Sequence, residues 1–326
     1  MQDSIITIGM PIKNRILCID RVLDSLVKQA YPKNKLKLIL IDESNDGTYE
    51  RLLEFKAQYK DEYLAIDLRH MSTTGYISAL RNLCVSDMTG GIMLFWDSDV
   101  IASTNEALSL IEQTLLSSDR IGAAGYNYER AHPSFYELLL RAKAELGGMG
   151  FTAIKRSMFG AVGLFNENLQ VNEDREFFSR LKKNGYLVSL VSTVPFLHDK
   201  PSEKEVTFKD DVLEFANQLK LSFTHGAAVW HEGLKTGSLL DAARTLYYLI
   251  LPPAFVLWVI NFFILLIPIP IATILFFAYL GVMLAYHVWK TANMRASCII
   301  AAFYYTSLGV ATSYGVVAKL FGLNKR

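Results

Sequence analysis

The sequence predicts an α/β chain, a mainly parallel sheet with helices on both faces, followed by C-terminal transmembrane helices. Three observations carry that prediction. Short β-branched apolar runs alternate with amphipathic stretches through the N-terminal part, the pattern of a parallel sheet covered on both sides. Charge thins abruptly along the chain: six Lys/Arg and one acid follow Ser238, against 27 basic and 31 acidic residues before it. Finally, Thr245 to Trp289 is a run of 45 residues without Asp, Glu, Lys or Arg, where about 20 suffice to cross a bilayer.

Each element follows from its own residues. Ile5 to Met10 is a short β-branched run, read as a buried strand. Arg15 to Gln29 places Ile16, Ile19, Val22, Leu23, Leu26 and Val27 on one helical stripe. Lys37 to Ile41 is the second strand, Thr48 to Tyr59 the second helix, and Leu64 to Leu68 a weaker strand. Tyr76 to Val85 is helical, Gly91 to Trp96 a strong strand, and a helix follows near Asn105 to Leu116. In such sheets ligands gather beyond the carboxyl ends of the strands. The polar clusters lie there: Pro11 to Arg15, Asp42 to Thr48, and Asp97 to Asp99.

The membrane part has its own logic. Pro268-Ile269-Pro270 divides the first uncharged run into a hairpin of two spans, because proline breaks a helix. Ala296 to Ala318 holds a third segment whose small residues suit helix contact in lipid. Met-Gln-Asp-Ser at the N-terminus has no basic or long apolar leader, so the soluble domain is expected in the cytoplasm. A hairpin returns Lys290 and Arg295 to that side, as positive charge prefers. A full third span would put Lys319, Lys325 and Arg326 outside, so this segment is re-entrant, interfacial or an exception to the rule. The expected organisation is a catalytic domain over 1–205, amphipathic interfacial helices over 206–244, and a membrane domain over 245–326. The last comprises the hairpin 245–289 and the segment 296–318, giving a multi-pass cell-membrane protein.

Composition excludes other classes. A net charge of +1 over 326 residues offers no global field for a polyanion, so no nucleic-acid partner is expected. Cys18, Cys84 and Cys298 form no C-x-x-C pair, which excludes a thiolate zinc site and leaves three reduced thiols. No G-x-G-x-x-G follows the first strand, and no P-loop motif occurs.

The chemistry lies in acids at strand ends. Asp97-Ser98-Asp99 follows a buried strand directly, where two carboxylates one residue apart can share a hard cation. The plainer alternative is a solvated turn. Asp42 to Thr48 suits both a turn with a helix cap and recognition of a nucleobase or ribose. Glu173-Asp174 opens a helix whose dipole favours acids, and offers a general base.

Taken together, Ile8 to Arg15, Asp42 to Thr48, Ala79-Leu80-Arg81-Asn82, Asp97-Ser98-Asp99 and Glu173-Asp174 keep one order and spacing. Over about residues 4 to 200 this resembles the cytoplasmic GT-A domain of family 2 inverting glycosyltransferases. Gly163 to Glu167 and Arg180 to Tyr186 are similar as well. With the membrane hairpin, the chain more loosely resembles the polyprenyl-phosphate sugar synthases. Two departures stand out. The family's Asp-Asp-x-Ser-x-Asp-Gly-Thr is one residue shorter here, with Glu43 for the second Asp, and the Gln-x-x-Arg-Trp of processive synthases does not occur.

The resemblance implies roles. Pro11, Asp42 and Glu43 would contact the nucleoside, and Arg81 would approach the diphosphate. Asp97 would hold ribose or metal-bound water, Asp99 the metal (Mg²⁺ or Mn²⁺), with His198 a further metal or phosphate ligand. Asp174 would be the catalytic base, and Gly147 to Phe151 would shape the acceptor side. Lys155 and Arg156 could bind an acceptor phosphate there. The function expected is transfer of a sugar from a nucleotide-sugar donor, UDP ahead of GDP, to a lipid-linked acceptor. A polysaccharide synthase or a transferase to a soluble acceptor is the second reading, and an inactive membrane scaffold the third.

Overall fold

Alternation along the strands decides which helix packs where. In a strand successive side chains point to opposite faces. Ile8, Leu38, Leu40, Leu94 and Trp96 thus fall in one apolar cluster, while Ile39, Ile41, Met93 and Phe95 fall in another. The computed structural model describes residues 4–72, 76–129, 146, 148–169, 173–192 and 196–199. The chain divides into two compact units, residues 1–133 with 143–205 and residues 134–142 with 206–326, and every described residue lies in the first.

The main sheet has seven strands in the order β3-β2-β1-β4-β8-β6-β9. They are β1 (Ile6–Ile12), β2 (Leu36–Asp42), β3 (Ala65–His70), β4 (Ile92–Trp96), β6 (Ile121–Gly125), β8 (Phe151–Lys155) and β9 (Leu187–Leu190). The first four pair in parallel, as the alternation predicts, and β9 runs parallel to β6. Strand β8 is antiparallel to both β4 and β6, so the sheet is mixed rather than wholly parallel. A second sheet joins β5 (Val100–Ile101), β10 (Phe196–His198) and β7 (Tyr128–Glu129), in that order.

Helices α1 (Ile19–Val27), α2 (Thr48–Tyr59) and α4 (Ala107–Leu116) cover one face. Helices α3 (Ile77–Ser86), α5 (Arg156–Val162) and α6 (Glu173–Lys183) cover the other. Helix α1 buries Ile19, Val22, Leu23 and Leu26, each contributing roughly 1.5–3 kcal/mol. It begins four residues later than its stripe suggests. The chain from Arg15 to Cys18 is a turn in which Cys18 N–H and Ile19 N–H both donate to Arg15 O, leaving the Arg15 side chain free to reach elsewhere. Cys18 and Cys84 are buried free thiols.

The segment 206–244 and the uncharged runs 245–289 and 296–318 lie outside the described residues, as does Cys298. Among the described residues no helix is long and apolar enough to cross a membrane.

Candidate active site

The ends of β1, β2 and β4 converge because the strands pair in register: Ile12 lies against Asp42, and Gly9 against Phe95. The loops that leave them are zipped together. Asn14 N–H donates to Ser44 Oγ, Asn45 N–H to Asn14 Oδ1, Arg15 N–H to Thr48 Oγ1 and Ile16 N–H to Asp46 Oδ2. Ser44, Asp46 and Thr48 therefore serve the turn, and Asp42 and Glu43 are what remains for a ligand. Pro11 lies in β1 beyond the end of its ladder with β4, where a missing N–H disturbs no pairing on that side. Glu43 pairs with Lys13 at 3.6 Å.

After Trp96 the chain turns tightly. Asp97 N–H donates to Gly150 O at 2.8 Å, Val100 N–H to Asp97 O at 3.0 Å, and the Trp96 indole Nε1–H to Val100 O at 2.7 Å. This turn hands the chain to β5, and the ladder of β5 with β10 sets His198 opposite Val100. His198 Nε2 thereby lies 3.3 Å from Asp99 Oδ2, which also takes Arg15 Nη2 at 3.0 Å. Next to it, Arg21 Nε holds Asp199 Oδ2 at 2.5 Å.

Arg81 forms the other half of the site. It is 4 % exposed. Its Nη1 meets Glu173 Oε1 at 2.5 Å and its Nη2 lies 3.6 Å from Asp97 Oδ1. Burial works against the guanidinium charge, but Asp97, Glu173 and Asp174 around it outweigh that and hold it protonated. Burial pushes the Asp97 and Glu173 carboxyls up, with Arg81 opposing in both. Arg81 is thus a buried cation set between two acids, Glu173 and Asp97.

Asp174 heads α6 beside Glu173, half-buried, with Oδ1 accepting from Arg175 N–H at 2.7 Å. Tyr128 lies against the glycine stretch, near Asp97 and Asp174, and packs edge-on to His198 at 5.1 Å between centroids. Only glycine fits around it. A Cβ on Gly150 would lie 2.4 Å from Tyr128 Cε1 and 3.0 Å from Asp97 Oδ2, and one on Gly148 would lie 3.1 Å from Tyr128 Oη and 3.3 Å from Asp174 Oδ2. The glycine-rich stretch admits an aromatic ring beside the acids; Gly147 itself lies outside the described residues.

The donor set fits a hard divalent cation bound jointly with a substrate. Asp97, Asp99 and His198 supply two carboxylates and an imidazole, and Mg²⁺ or Mn²⁺ sites of this kind take one or two carboxylates with the rest from phosphates. Among the described residues no group of three or more His, Cys, Asp or Glu is placed to hold a metal ion, so a cation here would depend on the substrate's phosphates for the rest of its shell.

One expectation is corrected. Lys155 pairs with Ile92, at the opposite end of β4 from Asp97. Five residues of strand amount to about 16 Å. Lys155 Nζ bonds Ser118 O at 2.9 Å, and Arg156 N–H bonds Gly91 O at 2.8 Å. Both belong to the far end of the strands, because β8 runs antiparallel to β4 and carries them away from the acids. Conversely, the structure adds Arg15, His70, Tyr128 and Asp199 to the site's surroundings. Arg15 lies in the polar cluster after the first strand, whereas His70, Tyr128 and Asp199 are brought to the site by β3, β7 and the end of β10.

Residues 7–144 match Glycosyl transferase family 2. Glycosyltransferase AglE of Haloferax volcanii is 22 % identical over 208 residues, covering 60 % of this chain and 64 % of its own length. The chain thus spans a little under two thirds of that relative. The mannosyltransferase PcManGT of Pyrobaculum calidifontis, solved with GDP-Man and Mn²⁺, superposes with a TM-score of 0.63 at 18 % identity, over 99 % of this chain and 89 % of that one. This likeness shows the α/β GT-A-like fold.

Proposed function

From a chain that carries a glycosyl transferase family 2 domain, we propose a membrane-anchored, metal-dependent inverting glycosyltransferase. It would move a sugar from a nucleotide-sugar donor to a lipid-linked acceptor. The observation that carries this reading is the gathering of Asp97, Asp99, His198, Arg81 and Asp174 at one end of the sheet. The membrane half rests on the 45-residue uncharged run; on this reading the catalytic domain faces the cytoplasm. That a neighbour was solved with GDP-mannose and manganese supports a nucleotide-sugar donor and a divalent cation here, and sets GDP-sugars beside UDP-sugars as candidates.

The mechanism follows from charge. A nucleoside diphosphate leaves poorly until its developing charge is neutralised. A divalent cation between Asp97, Asp99 and the phosphates would supply that neutralisation when bound. Arg15 and Arg81 add fixed positive charge, the preorganised kind that usually dominates. Asp174 accepts the proton of an attacking hydroxyl on the opposite side of the sugar. An acceptor phosphate arrives already ionised, and Asp174 then orients it. Arg81 holds Glu173 aside, so that Asp174 is the acid left to act.

The test is donor turnover by the full chain in detergent, with UDP- and GDP-sugars, Mn²⁺ or Mg²⁺, and native lipid extract, read as released nucleoside diphosphate. Asp99→Asn is the control. Release from one donor, dependent on metal and reduced about 100-fold or more in the control, establishes the transferase. Equal release by wild type and control overturns it.

A further inference from the structure

Tyr128 reaches from Asp97 toward Asp174. Its Cε1 edge lies over Gly150, where an added Cβ would also come within 3.0 Å of Asp97 Oδ2. Its hydroxyl end lies over Gly148, where an added Cβ would come within 3.1 Å of Oη and 3.3 Å of Asp174 Oδ2. The backbone beneath is pinned at both glycines: Gly150 O accepts from Asp97 N–H at 2.8 Å, and Gly148 O from Thr152 Oγ1–H at 3.0 Å. The ring also meets His198 edge-on, and the β7–β10 ladder sets Tyr128 opposite Phe196. It therefore has little freedom to turn away.

Packing accounts for the ring but not for the hydroxyl, since a phenylalanine would fill the same cradle. A tyrosine O–H in such a place ordinarily has a partner, yet this one makes no hydrogen bond to a described residue. Burial and the charges of Asp97 and Asp174 all push its pKa up, so it keeps its proton and stays a donor. Tyr128 is only half-buried, which leaves that donor open to a ligand. The reaction proposed above brings one there. In-line displacement sets the leaving oxygen on the Asp97 and Asp99 side and the attacking oxygen at Asp174, with the transferred sugar between them. Tyr128 spans the same interval.

We propose that Tyr128 is a specificity-determining residue for the transferred sugar, its Oη–H donating to an oxygen of that sugar. The inference rests on the nucleotide-sugar reading above and deepens it. The group recognised is a hydroxyl or ring oxygen of the sugar, not the base and not the diphosphate.

The test is calorimetric titration of the full chain in detergent, with Mn²⁺ and without acceptor, alongside thermal melts. UDP is compared with UDP-glucose and UDP-N-acetylglucosamine, and GDP with GDP-mannose. Tyr128→Phe keeps the ring in its cradle. It is expected to bind the bare diphosphate within about twofold of wild type, and the preferred sugar nucleotide about three- to tenfold more weakly, the worth of one hydrogen bond. A purely structural role would weaken both ligands alike and lower the melting temperature. A role in orienting Asp174 would leave both affinities unchanged while slowing transfer. A second arm starts from the wild type, titrated with monodeoxy forms of the preferred sugar nucleotide. One of them is expected to bind about three- to tenfold more weakly than the parent, and to bind Tyr128→Phe no more weakly than the parent does. Either alternative pattern, or a wild type that binds every deoxy form like the parent, overturns the inference while leaving the transferase reading intact. A folded wild type that binds no sugar nucleotide overturns both.

Discussion

Arg81→Met isolates the electrostatic keystone of the site. Methionine keeps much of the aliphatic bulk over Phe95 and Phe165, whose ring centroids both lie 5.8 Å from the guanidinium carbon. What is lost is the charge between Glu173 and Asp97. Removing one partner of a buried pair costs about 3–5 kcal/mol, because the other is left uncompensated. A domain of this size shifts its melting temperature by about 2–4 °C per kcal/mol, so a drop of roughly 6–20 °C follows. The sign with pH is fixed by Glu173. Burial already raises its folded-state pKa above the ordinary 4.5, and losing Arg81 raises it further. The folded variant then binds a proton more tightly than the unfolded chain does, so its stability falls as pH rises through that raised value. Relative to wild type, the deficit is largest at pH 8 and shrinks toward pH 5. The assay is intrinsic-fluorescence melting in detergent, with the buried Trp96 as reporter. A variant that melts with the wild type at pH 8, or a deficit independent of pH, refutes the reasoning.

Asp174→Asn should retain donor binding by calorimetry while losing about 10²–10⁴-fold in transfer to a hydroxyl acceptor; a parallel loss of binding would assign Asp174 to the donor instead. Lys155→Ala and Arg156→Ala should leave kcat/KM within about twofold, since such surface changes far from the site usually cost little; a larger loss would bring that end of the sheet back into the reaction. The Cys18 thiol is pushed up to about 11 and the Cys84 thiol to about 12, in both chiefly by burial, so less than about 0.1 % of either is thiolate at pH 8. Peptide mapping after iodoacetamide should find both unmodified in the native protein and labelled after denaturation.

The parallel half of the sheet was legible because its strands are continuous apolar runs between helical stripes. The helix over 48–59 coincides with expectation, and the strands over 5–10, 37–41 and 91–96 fall within a residue or two of β1, β2 and β4. The other half was not. Ile121-Gly-Ala-Ala-Gly125 has the composition of a loop, poor in the β-branched and aromatic residues of strands, and forms β6 only because β8 and β9 flank it. The misplacement of Lys155 and Arg156 has the same origin: closeness in sequence to the glycines says nothing of a strand that runs away from them. Within the site, Asp97, Asp99 and Asp174 stand out by type and position. The partners that orient them do not, since Arg15 reaches Asp99 across 84 residues and Arg81 reaches Glu173 across 92. Such pairings are set by topology, which no local pattern contains.

The short sheet of β5, β7 and β10 has a consequence for how the protein is made. All seven strands of the main sheet precede residue 191 in the chain, whereas His198 arrives with β10. Domains emerge from the ribosome at about 5–20 residues per second and fold from the N-terminus onward. The sheet can therefore be assembled before the histidine that faces Asp99 has been delivered. The pairing of His198 with Asp99 waits on one further short strand, β10, which inserts between β5 and β7 about a second later at that rate.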